Sequence, residues 1–176
     1  MIRGYQGKRP EIAPGAFLAE TCAVIGDVVI GDESSIWYAT TVRGDVMPIR
    51  IGARTSIQDN TVIHATSDSA SRRGLGTIVG NDCTIGHAVI LHACTIEDEC
   101  LIGMGAIVLD GARIGRGSFV GAGALVTPGT DIPPGSFVLG SPAKVRRAVT
   151  DTEREQIEYG ARHYVELVRA YLAGEG

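Results

Sequence analysis

Aliphatic residues recur every six positions through most of this 176-residue chain, and that period restricts its fold more than any other feature. The beat runs through Leu18, Val24, Ile30, Ile36 and Val42, resumes after an insertion at Ile51, Ile57 and Ile63, and resumes again at Val79 and Ile85. It slips by one residue near Ile90-Leu91 and continues through Ile96, Ile102, Val108, Ile114, Val120 and Val126. Two positions before each aliphatic stands a second, usually small residue: Cys22, Val28, Ser34, Thr40, Cys94, Cys100, Ala106, Ala112, Ser118 or Ala124. Glycine commonly follows it, as at Gly31, Gly52, Gly80, Gly86, Gly103, Gly115 and Gly121. A period of six is not that of a helix, and strand alternation alone would not select glycine at every sixth residue. One short strand and one turn per six residues fit, with three units closing a triangular coil and coils stacking at about 4.8 Å. The chain is therefore expected to be an all-β solenoid, a left-handed parallel β-helix of hexapeptide repeats.

Composition agrees. Aromatics make up only 5% of the chain and glycines number 24, which disfavours a core of interlocking rings. Cys22, Cys83, Cys94 and Cys100 all fall on the small inward slot, and no C-x-x-C pair exists, so they read as small hydrophobes. Beyond Pro133-Pro134-Gly135 and Gly140-Ser141-Pro142-Ala143-Lys144 the beat stops. Thr150-Asp151-Thr152-Glu153 forms a capping box, and Ile157, Ala161, Tyr164, Val168 and Tyr171 give the following helix an apolar stripe. A single domain over 1-176 is expected, with the solenoid at about 11-140 and a helix at about 150-173 folded back over one of its sides.

Charge narrows the partners. A net charge of −4 without a basic cluster argues against nucleic acid, and Arg72-Arg73 reads as a solvated loop tip. No apolar run approaches membrane-spanning length and the amino terminus lacks a signal peptide's apolar stretch, so a cytoplasmic protein with reduced thiols is expected.

Three of the four histidines interrupt the repeat at its turns: His64, His87 and His92. Counting corners puts Ile63 one coil above Val42, and Leu91 one coil above Ile63. The residues that follow them, Arg43, His64 and His92, then form one outer column at strand spacing. Two stacked imidazoles can share an ion, since zinc sits about 2.0–2.1 Å from an imidazole nitrogen. His87 stands one side of the triangle away, up to about 16 Å if extended. Cyclic assembly would bring a neighbour's His87 to the His64/His92 column.

Arg43-Gly44-Asp45, Ser56-Ile57-Gln58-Asp59-Asn60, His64 and Gly86-His87-Ala88-Val89-Ile90-Leu91-His92 resemble the pattern of the γ-carbonic anhydrase family, in its short form without the acidic loop. The resemblance covers essentially the whole chain, including Ile102-Gly103-Met104-Gly105-Ala106 and the terminal helix. It implies a homotrimer with metal sites between subunits, ligated by His64, His92 and an adjacent protomer's His87. The ion would be Zn2+, with Fe2+ or Co2+ as alternatives. It further implies that Arg43 and Asp45 pair across the interface, that Gln58 holds the metal-bound water, that Asp59 stands behind the ligands, and that Tyr164 approaches the site. The implied reaction is reversible hydration of carbon dioxide to bicarbonate by a zinc-bound hydroxide.

The chain departs from the archetype in three places. The loop from Ala65 to Gly76 holds Asp68 but no glutamate, Val46 replaces a carboxylate, and Ser56 replaces an asparagine. Proton export then falls to His163, Tyr164 or buffer. Three alternative readings stand beside this one: a hexapeptide-repeat acyltransferase, which needs one histidine and a coenzyme A groove; a metal-dependent thioester hydrolase; and a non-catalytic metal-binding trimer.

Overall fold

The computed structural model describes residues 1–71 and 73–174, so Arg72 of the basic pair lies outside the described residues. The chain winds into a left-handed parallel solenoid whose coils have three faces. One face is an 8-stranded sheet that includes Phe17–Leu18, Ser35–Ile36, Ser56–Ile57, Thr84–Ile85, Leu101–Ile102 and Phe119–Val120. The other two faces belong to one sheet, because the strands Ala23–Ile30 and Thr41–Ile51 run continuously around a corner. Register follows the expected coil: Val24 pairs with Val42, and Ile85 with Ile102.

The corner aliphatics fill the interior. Val24, Ile36, Val42, Ile57, Ile63, Ile85, Leu91, Ile96, Ile102 and Ile114 are all fully enclosed in one aliphatic core that also takes in the cysteines. All four cysteines are free and buried, and burial pushes the Cys94 thiol up to about 12. No aromatic ring enters that core.

The glycines that follow the corner aliphatics serve close stacking. A Cβ on Gly31 would lie 2.5 Å from the carbonyl carbon of Gly52, one coil on, and a Cβ on Gly52 would lie 2.6 Å from that of Gly80. The left-handed turn positions are a separate set, held by residues such as Ala88 (φ 57) in the middle coils and Gly105 (φ 68) further on.

The sheets extend beyond the 11-140 range expected for the solenoid. Ile2–Arg3 adds a parallel strand beside Val24 and Ile25. At the other end Ser136–Gly140 reverses, and Ala143–Ala148 returns antiparallel to it. This return covers an edge that another coil would otherwise occupy.

Helix α1 spans Asp151–Ala173. The Thr150 hydroxyl accepts from the Glu153 backbone N–H while the Glu153 carboxylate accepts from the Thr150 backbone N–H, which is the capping box expected from the sequence. Ile157, Ala161, Val165 and Val168 are its buried residues, and it lies across Phe17–Leu18, Ser35–Ile36, Ser56–Ile57 and Thr84–Ile85. Phe17, Trp37 and Tyr38 gather against its Tyr164 and Tyr171. Trp37 packs edge-on against Tyr164 at 5.7 Å and Tyr171 at 5.2 Å, with Phe17 alongside. The Trp37 indole N–H donates to the hydroxyls of Ser35 and Ser56, so its polar atom is satisfied inside the joint.

Candidate metal centre

The column of polar residues is present. Val62–His64 and Ile90–His92 are neighbouring parallel strands with His92 opposite His64, and their ring centroids stand 5.4 Å apart. One coil below Ile63 lies its partner Val42, which makes Arg43 the next residue of the column.

Each of the three imidazoles meets a carboxylate. His64 Nε2 is 3.1 Å from Asp45 Oδ1, His92 Nδ1 is 2.5 Å from Asp110 Oδ1, and His87 Nδ1 is 2.9 Å from Asp59 Oδ2. A ligating histidine ordinarily gives its second ring nitrogen to such an acceptor, which fixes the ring and sharpens the donor lone pair. Burial is the main cause that lowers the His64 pKa; Asp45 opposes it, and the charges of Arg43 and His92 add to it. His64 is thus neutral at neutral pH, the form that can bind a metal. At Asp45 burial raises the carboxyl, but hydrogen bonds from Arg43 and His64 outweigh it and hold the group below its usual value. Arg43 Nη1 reaches Asp45 Oδ2 at 2.5 Å within the same chain.

His87 belongs elsewhere on the prism. It follows the strand Thr84–Ile85, one coil above Asp59, whose carbonyl accepts from the Ala88 N–H at 2.9 Å. The strand Ile90–His92 then separates it from the His64/His92 column. Among the described residues of one chain, no three histidine, cysteine or acidic side chains converge well enough to hold an ion. The His87 side chain is 48% exposed, which leaves it open to a neighbour.

Gln58, Asp59 and Tyr164 accompany His87. Gln58 is buried, and its backbone carbonyl accepts from the Thr40 hydroxyl at 2.7 Å. Burial raises the Tyr164 hydroxyl, and the negative charge of Asp59 adds to the rise, so α1 brings this tyrosine into the field of the His87 partner. The exposed His163 ring lies 5.5 Å from that of Tyr164. The expected site residues therefore fall into two groups on different edges: Arg43, Asp45, His64 and His92 on one, and Gln58, Asp59, His87 and Tyr164 on the other.

Asp110 and Thr66 are contacts that the column did not identify. Strand register sets Leu91 against Val108, so the coil after His92 presents the apolar Leu109 at the column position, with Asp110 one residue beyond. Its second carboxylate oxygen accepts from the Thr66 hydroxyl at 2.5 Å. Thr66 opens the long insertion, which is pinched shut by paired backbone hydrogen bonds between Thr66 and Leu75. Asp68 within it accepts from the Gly74 N–H at 2.7 Å and so shapes the loop.

Known proteins share the fold over nearly the whole chain. A bacterial transferase hexapeptide (six repeats) family model matches residues 93–128. A carbonic anhydrase of Geobacillus kaustophilus is 49% identical over 173 residues, covering 98% of this chain and 92% of that one. A mitochondrial γ carbonic anhydrase 2 of Arabidopsis thaliana is 42% identical over 94% of this chain and 60% of its own length. A Bacillus cereus structure described as a putative acetyltransferase superposes with a TM-score of 0.91 at 46% identity, covering 97% and 95% of the two chains. The class is that of hexapeptide-repeat solenoid proteins. Within it, the chain belongs to the γ-class carbonic anhydrase family.

Proposed function

We propose that this chain is a γ-carbonic anhydrase-like metalloenzyme that interconverts carbon dioxide and bicarbonate as a homotrimer with a metal site at each subunit boundary. The observation that carries the reading is the division of histidines: two opposed imidazoles on one edge and a third, half-exposed, on another. A three-fold arrangement joins such halves, each edge meeting the other edge of a neighbour. The curated relatives named as carbonic anhydrases support the same activity.

The donor set suits zinc, with ferrous or cobaltous ion as alternatives, because it offers three imidazoles each backed by a carboxylate. When bound, an ion held by three neutral ligands supplies Lewis acidity and brings water's pKa to about 7. The chain's own residues do the rest. Gln58 carries an amide that can both donate and accept, which suits it to orient a water against a linear, weakly polar substrate. Tyr164 keeps its proton at neutral pH and can donate to a developing bicarbonate oxygen. Hydration releases one proton per turnover, and the exposed His163 beside Tyr164 stands where a proton can pass to buffer.

The test begins with metal content. His64→Ala, His87→Ala and His92→Ala should each deplete the ion, and mixing His64→Ala with His87→Ala subunits should restore some sites in hybrid trimers. A monomer that binds metal through all three histidines would overturn the shared site. Hydration kinetics on protein of verified metal content, run beside a thioester panel, then decide the reaction. Activity no better than free metal removes the anhydrase reading in favour of the hydrolase or structural alternatives.

A further inference from the structure

We propose that Asp110 is the positioning residue that sets the His92 ring for metal binding and ties the loop from Ala65 to Gly76 to that ligand through Thr66. This rests on the metal reading given above. One carboxylate spans both groups: Oδ1 lies 2.5 Å from His92 Nδ1 and Oδ2 lies 2.5 Å from the Thr66 hydroxyl. With Nδ1–H donating to the carboxylate, the remaining lone pair of His92 is on Nε2 and the ring cannot turn without losing a charge-assisted bond. The Thr66 hydroxyl in turn holds the carboxylate's other oxygen. Thr66 is buried, as is Ala65 before it, and its backbone pairs with Leu75 to close the base of the loop. Asp110 is therefore a strut between two parts of the chain that sequence separates: Thr66 and Asp110 are 44 positions apart.

Two consequences follow from one contact. A ring held in place by its outer partner binds metal more tightly, and losing such a partner typically weakens affinity by about 10- to 100-fold. By linkage, an ion that orders His92 also orders whatever shares its carboxylate, so metal should stiffen the loop base. The Asp110 side chain is only 23% exposed but lies at the surface of a coil corner, outside the aliphatic core, so substitutions there leave the packing of the solenoid in place.

The experiment uses the full chain and Co2+ or Zn2+ alone, titrated in competition with a chromophoric chelator. Asp110→Ala should lower affinity about 10- to 100-fold. It should also alter the visible spectrum of the cobalt form. Asp110→Asn, which keeps an oxygen acceptor, should recover part of both. Thr66→Val should retain most of the affinity while losing the loop coupling, read as the slowing of tryptic cleavage after Arg73 when metal is added. Wild-type affinity and spectrum in both Asp110 variants would overturn the positioning role. Equal protection of wild type and Thr66→Val by metal would overturn the tie to the loop. A wild-type protein that binds no metal at His64 and His92 would instead remove the metal reading itself, and this inference with it.

Discussion

Gly160 sits where α1 passes close over Thr84 of the sheet, and replacing it with alanine should destabilise the protein despite alanine's higher helix propensity. A Cβ at Gly160 would lie 2.8 Å from Thr84 Oγ1, while the other Thr84 side-chain atoms stand at ordinary contact distances of 3.6 and 3.8 Å. Thr84 is buried and its hydroxyl hydrogen-bonds nothing among the described residues, so the crowding is steric and breaks no polar contact. Backing the helix away would loosen Ile157 and Ala161, which are buried on either side of this point. Glycine to alanine in a helix interior is worth about 1 kcal/mol in favour. Overpacking costs about 1–3 kcal/mol. The net effect of Gly160→Ala should be a loss of up to about 2 kcal/mol, or up to about 8 °C in Tm at about 2–4 °C per kcal/mol for a chain of this length. In a Thr84→Ala background the obstacle is gone, and the same substitution should stabilise by about 1 kcal/mol. Thermal and denaturant unfolding of all four proteins, at one fixed protein concentration, measures the coupling between the two sites. Gly160→Ala that stabilises equally in both backgrounds would refute the close-approach argument.

Gln58→Ala should lower carbon dioxide hydration while the metal content stays at the wild-type level, measured by hydration kinetics beside metal analysis of the same sample. Turnover should rise with buffer concentration, and Ser67→Glu or Val46→Glu should raise turnover at low buffer and weaken that dependence in stopped-flow assays across a buffer series. Asp27 is held below its ordinary pKa first by its hydrogen bond from Lys8 and then by Arg50, at 2.5 and 2.7 Å. Its folded-state value lies below the unfolded one of about 3.9, so the stabilisation is present above that pH and is lost as pH falls through the folded value. Asp27→Asn should therefore lower stability at neutral pH and flatten the acid limb of a stability–pH profile. Gly31→Ala should be far more harmful than a surface substitution, because its Cβ would meet the backbone of Gly52 at 2.5 Å, where no side chain can rotate away; expression and unfolding midpoint report it.

The coil was legible because one residue type marks each corner, so a constant spacing translates directly into register. That is why the spacing alone sets His64 opposite His92 and one face away from His87. The aromatic joint under α1 was only half legible. The stripe Ile157, Ala161, Tyr164, Val168 and Tyr171 announces an amphipathic helix, but nothing in its period says which of three similar faces it covers. The choice depends on Phe17 and Trp37, which lie in different coils and meet only when stacked. Glycine was legible as a beat and not as a cause, since close stacking at Gly31 and left-handed turns at Gly105 leave the same letter in the sequence. Asp110 escaped because it stands one position past the column and reaches back to His92, a side-chain angle that no spacing encodes.

His64 and His92 are 28 positions apart along the chain, yet the gap between their rings is one strand spacing. The insertion from Ala65 to Gly76 leaves and rejoins the solenoid at a single corner, its base sealed by Thr66 and Leu75. Its length therefore does not enter the geometry of the two imidazoles. Residues can be added to or removed from its tip while the ring pair stays opposed, as fittings can be exchanged on a fixed frame. Charge and bulk at the loop's tip are thus separable from the spacing of the two rings, whereas its base at Thr66 is not, because the Thr66 hydroxyl shares the Asp110 carboxylate with His92.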